Sequence, residues 1–223
     1  MQDYQAAFID FLVRSGALQF GSYQLKSGRV SPYYFNSGEF SRGQQIERLG
    51  FYYASAIREL QIQPTLVFGP AYKGIPLSIA ASIALHRDYQ QDVGYGFDRK
   101  EVKDHGEGGW LVGEIPTAED RVVLVDDVVT DGATKVEAIG ALRANTAAKV
   151  SGLVIALDRK EANDAGGDSI ASLSAKLGIE VRAIVTIQDI LEHLPGREID
   201  GRVVMPAAVQ AQIEDYLARY GVA

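Results

Sequence analysis

Apolar residues recur along this chain in two rhythms, short continuous apolar runs and longer stretches with a helical stripe, and the two alternate. Tyr4, Ala7, Phe8, Phe11 and Leu12 share one helical face that Gly16 closes. Tyr23, Leu25, Val30, Tyr33 and Phe35 flank a Ser-Gly bend, which predicts a hairpin over 22–36 with Lys26 near its turn. Helical spacing returns over 45–60 through Ile46, Leu49, Tyr53, Ile57 and Leu60. A short strand at 65–69, a Pro/Gly turn at 70–74, a helix at about 76–86 and a strand at 93–97 come next. Residues 122–125 read Val-Val-Leu-Val, as expected of a strand buried on both faces of a parallel sheet. Val136, Ile139 and Leu142 then give a helix, succeeded by a strand at 150–157, a helix at 169–177, a strand at 180–185 and a last helix at 206–219. This alternation predicts an α/β fold, a Rossmann-like parallel sheet flanked by helices, whose ligands bind outside the carboxyl ends of the strands. The first helix and hairpin, within 1–40, fall outside the alternation and predict a small N-terminal hood over the site.

Composition narrows the class. With 223 residues and 47% hydrophobic content, the chain can bury one substantial core, and no linker-like stretch divides it, so one domain over 1–223 is expected. There are no cysteines, no apolar run near the roughly 20 residues of a membrane helix, and no basic-then-apolar leader over 1–16. Cytoplasmic residence without membrane attachment is the expectation. A net charge of −7 argues against general nucleic-acid affinity, so local basic clusters become informative.

The chemistry concentrates at three strand ends. Asp126 and Asp127 close the apolar run 122–125, and Val128, Val129, Thr130, Asp131, Gly132, Ala133 and Thr134 lead into a helix. Such a turn aims N–H groups and the helix dipole at an anion. Neighbouring acids ahead of a phosphate nest suit a ligand with vicinal hydroxyls beside its phosphate, because carboxylates accept both hydrogen bonds of a ribose diol. In Gly69-Pro70-Ala71-Tyr72-Lys73-Gly74, glycines on both sides of the lysine let the backbone approach a diphosphate. Residues 98–113 cluster Arg99, Lys100, Lys103 and His105 ahead of glycines at 106, 108 and 109, the pattern of a mobile lid loop that closes on a polyanion. His86 and His193 fall in helical patterns and are read as structural, and no His/Asp/Glu spacing suggests a closed metal site.

Four segments together resemble the orotate phosphoribosyltransferases, a branch of the type I phosphoribosyltransferases that use 5-phosphoribosyl 1-diphosphate (PRPP). They are Leu25-Lys-Ser-Gly-Arg29 with Ser31-Pro-Tyr-Tyr-Phe-Asn36, then Gly69-Pro-Ala-Tyr-Lys-Gly-Ile75, Arg99-Lys-Glu-Val-Lys-Asp-His-Gly-Glu-Gly-Gly109, and the strand bearing Asp126 and Asp127. The resemblance runs from about Tyr4 to Asp189. It implies the type I phosphoribosyltransferase fold and the conversion of orotate and PRPP to orotidine 5′-monophosphate and diphosphate, a step of pyrimidine nucleotide synthesis. It also implies Mg²⁺ carried on substrate oxygens, and a homodimer whose lid reaches the partner's site. Lys73, Arg99, Lys100, Lys103 and His105 would neutralise the diphosphate, with Tyr72 beside them, and Lys103, His105 and Asp127 would act at the reacting centre. Residues 128–134 would cradle the 5′-phosphate. Lys26 would lie beside both substrates, Tyr34 and Phe35 beside the pyrimidine ring, and Thr130 and Arg159 against orotate, where a guanidinium suits a carboxylate. One departure stands out. Thr130-Asp-Gly-Ala-Thr134 replaces the commoner Thr-Ala-Gly-Thr-Ala or Thr-x-Gly-Gly-Ser, which shifts the second hydroxyl by one residue and puts an acid inside the nest. Two other readings stay open: a phosphoribosyltransferase for another base, and a non-catalytic PRPP-sensing regulator that binds nucleic acid. The regulator lacks its basic face at charge −7 and would have no need of a lid.

Overall fold

The structure is a computed structural model that describes residues 1–25, 27–103, 109–129, 132–163 and 165–222, with backbone alone at 102 and 103. Helix α1 (Asp3–Arg14) leads into an antiparallel hairpin of β1 (Leu18–Gln24) and β2 (Val30–Phe35), a single 3-10 turn at Ser37–Glu39, and helix α2 (Gly43–Glu59). Then come β3 (Leu66–Phe68), α3 (Gly74–Tyr89), β4 (Gly94–Lys103), β5 (Gly109–Gly113), β6 (Arg121–Val128), α4 (Ala133–Asn145), β7 (Lys149–Asp158), α5 (Ser169–Leu177) and β8 (Glu180–Thr186). The chain ends with α6 (Ile187–His193), the two-residue strands β9 (Glu198–Ile199) and β10 (Arg202–Val203), and α7 (Ala207–Tyr220).

The six-stranded sheet has the order β5-β4-β3-β6-β7-β8, parallel throughout except for the antiparallel return of β5 along β4. From β3 the chain moves outward to β4, then crosses back to lay β6 on the other side of β3. Strand order therefore reverses between β3 and β6, and in open α/β sheets the ligand crevice lies outside the carboxyl ends at that reversal.

Alternate residues of the central strands feed two separate cores. Val67, Val123, Val125, Val154 and Ile184 join α1, α2, α3, α6 and α7 on one face. Leu66, Phe68, Val122, Leu124, Leu153 and Ile155 join α4 and α5 on the other. Both faces are covered, which is why these strands read as unbroken apolar runs. Helices α2 and α3 approach so closely that a Cβ on Gly50 would collide with the Ala80 carbonyl.

Three features were not legible in the sequence. The strand expected at 93–97 continues to Lys103, and 109–113 pairs back along it, so the described ends of the segment read as a lid loop are extended sheet. Its glycines and charges suggested irregular chain, whereas Trp110 and Leu111 pack against the second core and the Trp110 ring lies 6.4 Å from that of Phe68. Helix α6 escaped because it is only 7 residues long and directly follows β8, with Thr186 and Asp189 forming its capping box. The N-terminal segment divides its tasks. Helix α1 packs within the first core, Phe8 against Tyr52 at 4.9 Å, together with Leu18 and Tyr33 of the hairpin, whose second strand runs on toward the strand ends. His193 is structural as expected, with Nε2 2.8 Å from Asp10 of α1.

Candidate functional site

The two adjacent acids at the end of β6 hold different positions. Asp126 is buried, its Oδ1 accepting the Asp127 N–H at 2.9 Å and its Oδ2 paired with Lys135 Nζ at 2.7 Å. Its carbonyl accepts the hydroxyl of fully buried Tyr53 at 2.7 Å. Burial raises the Asp126 carboxyl above its ordinary value, against the opposing pull of Lys135. Asp127 is half-buried; Oδ1 accepts the Val128 N–H at 2.8 Å and Oδ2 accepts the Ser37 hydroxyl at 2.7 Å. Asp126 thus faces the protein, and Asp127 faces the crevice.

The loop after β3 is tightly folded. A Cβ on Gly74 would lie 2.5 Å from the carbonyl carbon of Gly69, so both glycines are required by their contact. The Ala71 N–H donates to Asp98 Oδ1 of β4 at 2.5 Å, which ties this loop to the strand beside it. Tyr72 and Lys73 are exposed. Lys73 reaches back to the 3-10 turn, where a Cβ on Gly38 would stand 3.4 Å from its Nζ.

Beyond β7, Arg159 is largely buried. Its guanidinium lies 4.2 Å from the centroid of the Tyr33 ring, and its Nη2 donates to Ser31 Oγ at 3.0 Å. Nε donates to Glu161 Oε1 at 2.7 Å and Nη2 meets the same oxygen at 2.6 Å. Burial works against its charge, but Tyr33 and Glu161 outweigh it and hold Arg159 above its ordinary value.

Residues 31–38 therefore cross three neighbouring strand ends in sheet order. Ser31 and Tyr33 meet Arg159 after β7, Ser37 meets Asp127 on β6, and Gly38 meets Lys73 after β3. This brings together Lys73, Asp126, Asp127 and Arg159 from the sequence expectations. Val128 and Val129 are half-buried beside them, Gly132 is buried with φ +75°, and Ala133 and Thr134 form the exposed first turn of α4. Tyr34 stacks on Tyr23 at 5.3 Å, and Phe35 packs against the first core. Arg99 bonds the Gly109 carbonyl at 3.2 Å within the β4–β5 hairpin, where Lys100 is exposed. Lys26, His105, Thr130 and Asp131, and the side chain of Lys103, lie outside the described residues.

Four contacting residues went unread in the sequence: Ser37, Lys135, Glu161 and Tyr216, whose hydroxyl bonds Glu161 at 3.0 Å. Lys135 alone left a trace, since it occupies the stripe of Ala138, Ile139 and Leu142 that α4 buries. Among the described residues no three His, Cys, Asp or Glu side chains cluster to hold a metal, and no helix is long and apolar enough to cross a membrane.

The start of α4, the paired acids Asp126 and Asp127 and the close-packed Gly69–Gly74 loop gather where strand order reverses, the place where open α/β sheets bind their ligands. The phosphoribosyl transferase domain model matches residues 37–171. The orotate phosphoribosyltransferase of Methylococcus capsulatus is 44% identical over 223 residues, covering 100% of both chains. That of Agathobacter rectalis is 42% identical over 225 residues, covering 99% of each. The crystal structure of the Francisella tularensis orotate phosphoribosyltransferase superposes with a TM-score of 0.81 at 35% identity, covering 96% of this chain and 99% of that one. The chain belongs to the phosphoribosyltransferase family and, within it, to the orotate phosphoribosyltransferases.

Proposed function

We propose that this crevice transfers the 5-phosphoribosyl group of PRPP to orotate, giving orotidine 5′-monophosphate and diphosphate in pyrimidine nucleotide synthesis in the cytoplasm. The observation that carries the reading is the crossing of residues 31–38 over three strand ends, which lines up a cation, a carboxylate and a guanidinium. Diphosphate, ribose hydroxyls and the carboxylate of an anionic ring are the complements of those three groups in that order. Breaking the bond from C1 to diphosphate leaves an electron-poor sugar and an anionic leaving group, while the ring nitrogen of orotate supplies the new bond. Catalysis then comes from neutralising the diphosphate and fixing the partners in line.

In this reading Lys73 meets the diphosphate, with Arg99, Lys100, Lys103 and His105 joining from the β4–β5 hairpin. Asp127 takes the ribose hydroxyls, and Asp126 supports it from behind. Residues 128–134 hold the 5′-phosphate, and Arg159 meets the orotate carboxylate. Mg²⁺ fits this donor set as an ion on substrate oxygens and water, since Asp126 is engaged by Lys135 and Asp127 is half-buried with one oxygen on Ser37. When bound, it would neutralise diphosphate oxygens. The active form is proposed to be a homodimer in which the hairpin tip serves the partner's site.

Orotate absorbance should fall on adding PRPP and Mg²⁺, while uracil, hypoxanthine and adenine are left unused; turnover of a purine instead would sink the assignment. Lys103→Ala should lower turnover, and mixing it with Asp127→Asn subunits should restore part of it. No recovery would place each hairpin over its own site.

A further inference from the structure

We infer that Glu161 and Tyr216 are positioning residues for the Arg159 guanidinium, which makes the C-terminal helix part of the acceptor-base site; this rests on the reading that Arg159 meets the orotate carboxylate. The chain end grips the loop that carries Arg159 on both sides of Glu161. The Val222 N–H donates to the Lys160 carbonyl at 3.0 Å, and the Ala162 N–H donates to the Tyr220 carbonyl at 2.8 Å. Lys160 is held in the left-handed region, φ 51°, with Nζ 2.9 Å from Asp158 and 3.0 Å from Asp168. Glu161 sits between these clamps with nothing to do for the fold's apolar core.

Its carboxylate instead gathers four groups. Oε1 takes Arg159 Nε, Arg159 Nη2 and the Tyr216 hydroxyl, and Oε2 takes Arg29 Nη1 at 3.4 Å. The Tyr216 ring also stands edge-on to Tyr33, 6.2 Å between centroids at 87°, and Tyr33 is the ring under the guanidinium. Ser31 takes the remaining direction of Nη2. Glu161 and Ser31 take Nε and Nη2, so the Nη1 side is the edge of the guanidinium that a ligand can meet. A free arginine side chain loses much rotamer entropy when a ligand fixes it. Here salt bridge, ring and hydroxyl fix it beforehand, and that loss is removed from base binding. The substrate anion then meets a charged group already aimed.

The test compares Glu161→Gln, Tyr216→Phe and Arg159→Ala by steady-state kinetics with orotate and PRPP varied separately, and by thermal melting. Glu161→Gln should raise KM for orotate about tenfold, the size of one lost charge-assisted hydrogen bond, and Tyr216→Phe about threefold, because its hydroxyl acts on the guanidinium only through Glu161. KM for PRPP should stay within about twofold. Selective loss of orotate affinity supports the inference. Unchanged orotate KM in both variants, with Arg159→Ala raising it, overturns the positioning role and leaves the role of Arg159 intact. Unchanged orotate KM in Arg159→Ala overturns the underlying reading and this inference with it. A parallel rise of both KM values with a lowered melting point makes the contacts merely structural, which overturns the inference. A fall in orotate KM for Glu161→Gln shows that Glu161 only repels the anionic base, which also overturns the proposal. Tyr216→Phe loses a single oxygen, so it decides the matter should Glu161→Gln fail to fold.

Discussion

Lys135→Met isolates the buried charge behind Asp127, the acid proposed to take the ribose hydroxyls. The Lys135 and Asp126 side chains are only 10% and 8% exposed and meet at 2.7 Å, so removing the ammonium leaves Asp126 without a counter-ion in a poorly solvated place. Breaking one partner of such a pair costs about 3–5 kcal/mol. Taking about 3 kcal/mol, since both side chains keep a small opening, and about 2–4 °C per kcal/mol for a chain of this size, melting should fall by roughly 6–12 °C. The sign of the pH dependence comes from Asp126. Its folded carboxyl already titrates above the ordinary value of 3.8, chiefly through burial, so its contribution to stability is complete below 3.8 and is lost as pH rises through the folded value. Losing Lys135 removes two influences that hold that value down and moves the window of loss upward. The variant's deficit should therefore shrink as pH is lowered from about 7 to about 5. Chemical denaturation of the two single variants and of Lys135→Met/Asp126→Asn closes a double-mutant cycle. The second change should restore at least half of the loss. A cost below about 1 kcal/mol for Lys135→Met, or no recovery with Asp126→Asn, would refute the claim that this pair neutralises a buried charge.

Two further changes probe the crevice. Gly74→Ala drives a methyl against the Gly69 backbone and Pro70, which cannot yield without opening the loop; KM for PRPP should rise by an order of magnitude or more, as product formation at varied PRPP would show. Ser37→Ala removes the hydroxyl that orients Asp127 Oδ2. One charge-assisted hydrogen bond to a carboxylate, about 1.5 kcal/mol, predicts a roughly tenfold rise in PRPP KM with melting little changed, whereas unaltered kinetics would make the hydroxyl incidental.

The local pattern was enough for the parallel sheet and its crevice. Four β-branched or aliphatic residues can bury both faces of a strand, and the acids Asp126 and Asp127 at its end mark where the chain must turn toward water. Glycines flanking Lys73, and the stripe of α2, are equally local statements. The strands 98–103 and 109–113 were hidden because they pair with each other and set Trp110 beside Phe68, a contact that no spacing within the segment reports.

The sequence by itself therefore determined the layers, the strand ends and which residue types stand there, because hydrophobic period and turn chemistry act over a few residues. Tertiary structure decided what those residues do. It buried Asp126 on Lys135 and left Asp127 facing Ser37, though the two acids are adjacent and chemically alike. It set Tyr216 of the last helix on Glu161, 55 positions away in the chain. Burial and partner choice depend on groups brought together from distant positions, so they exist only once the chain has folded.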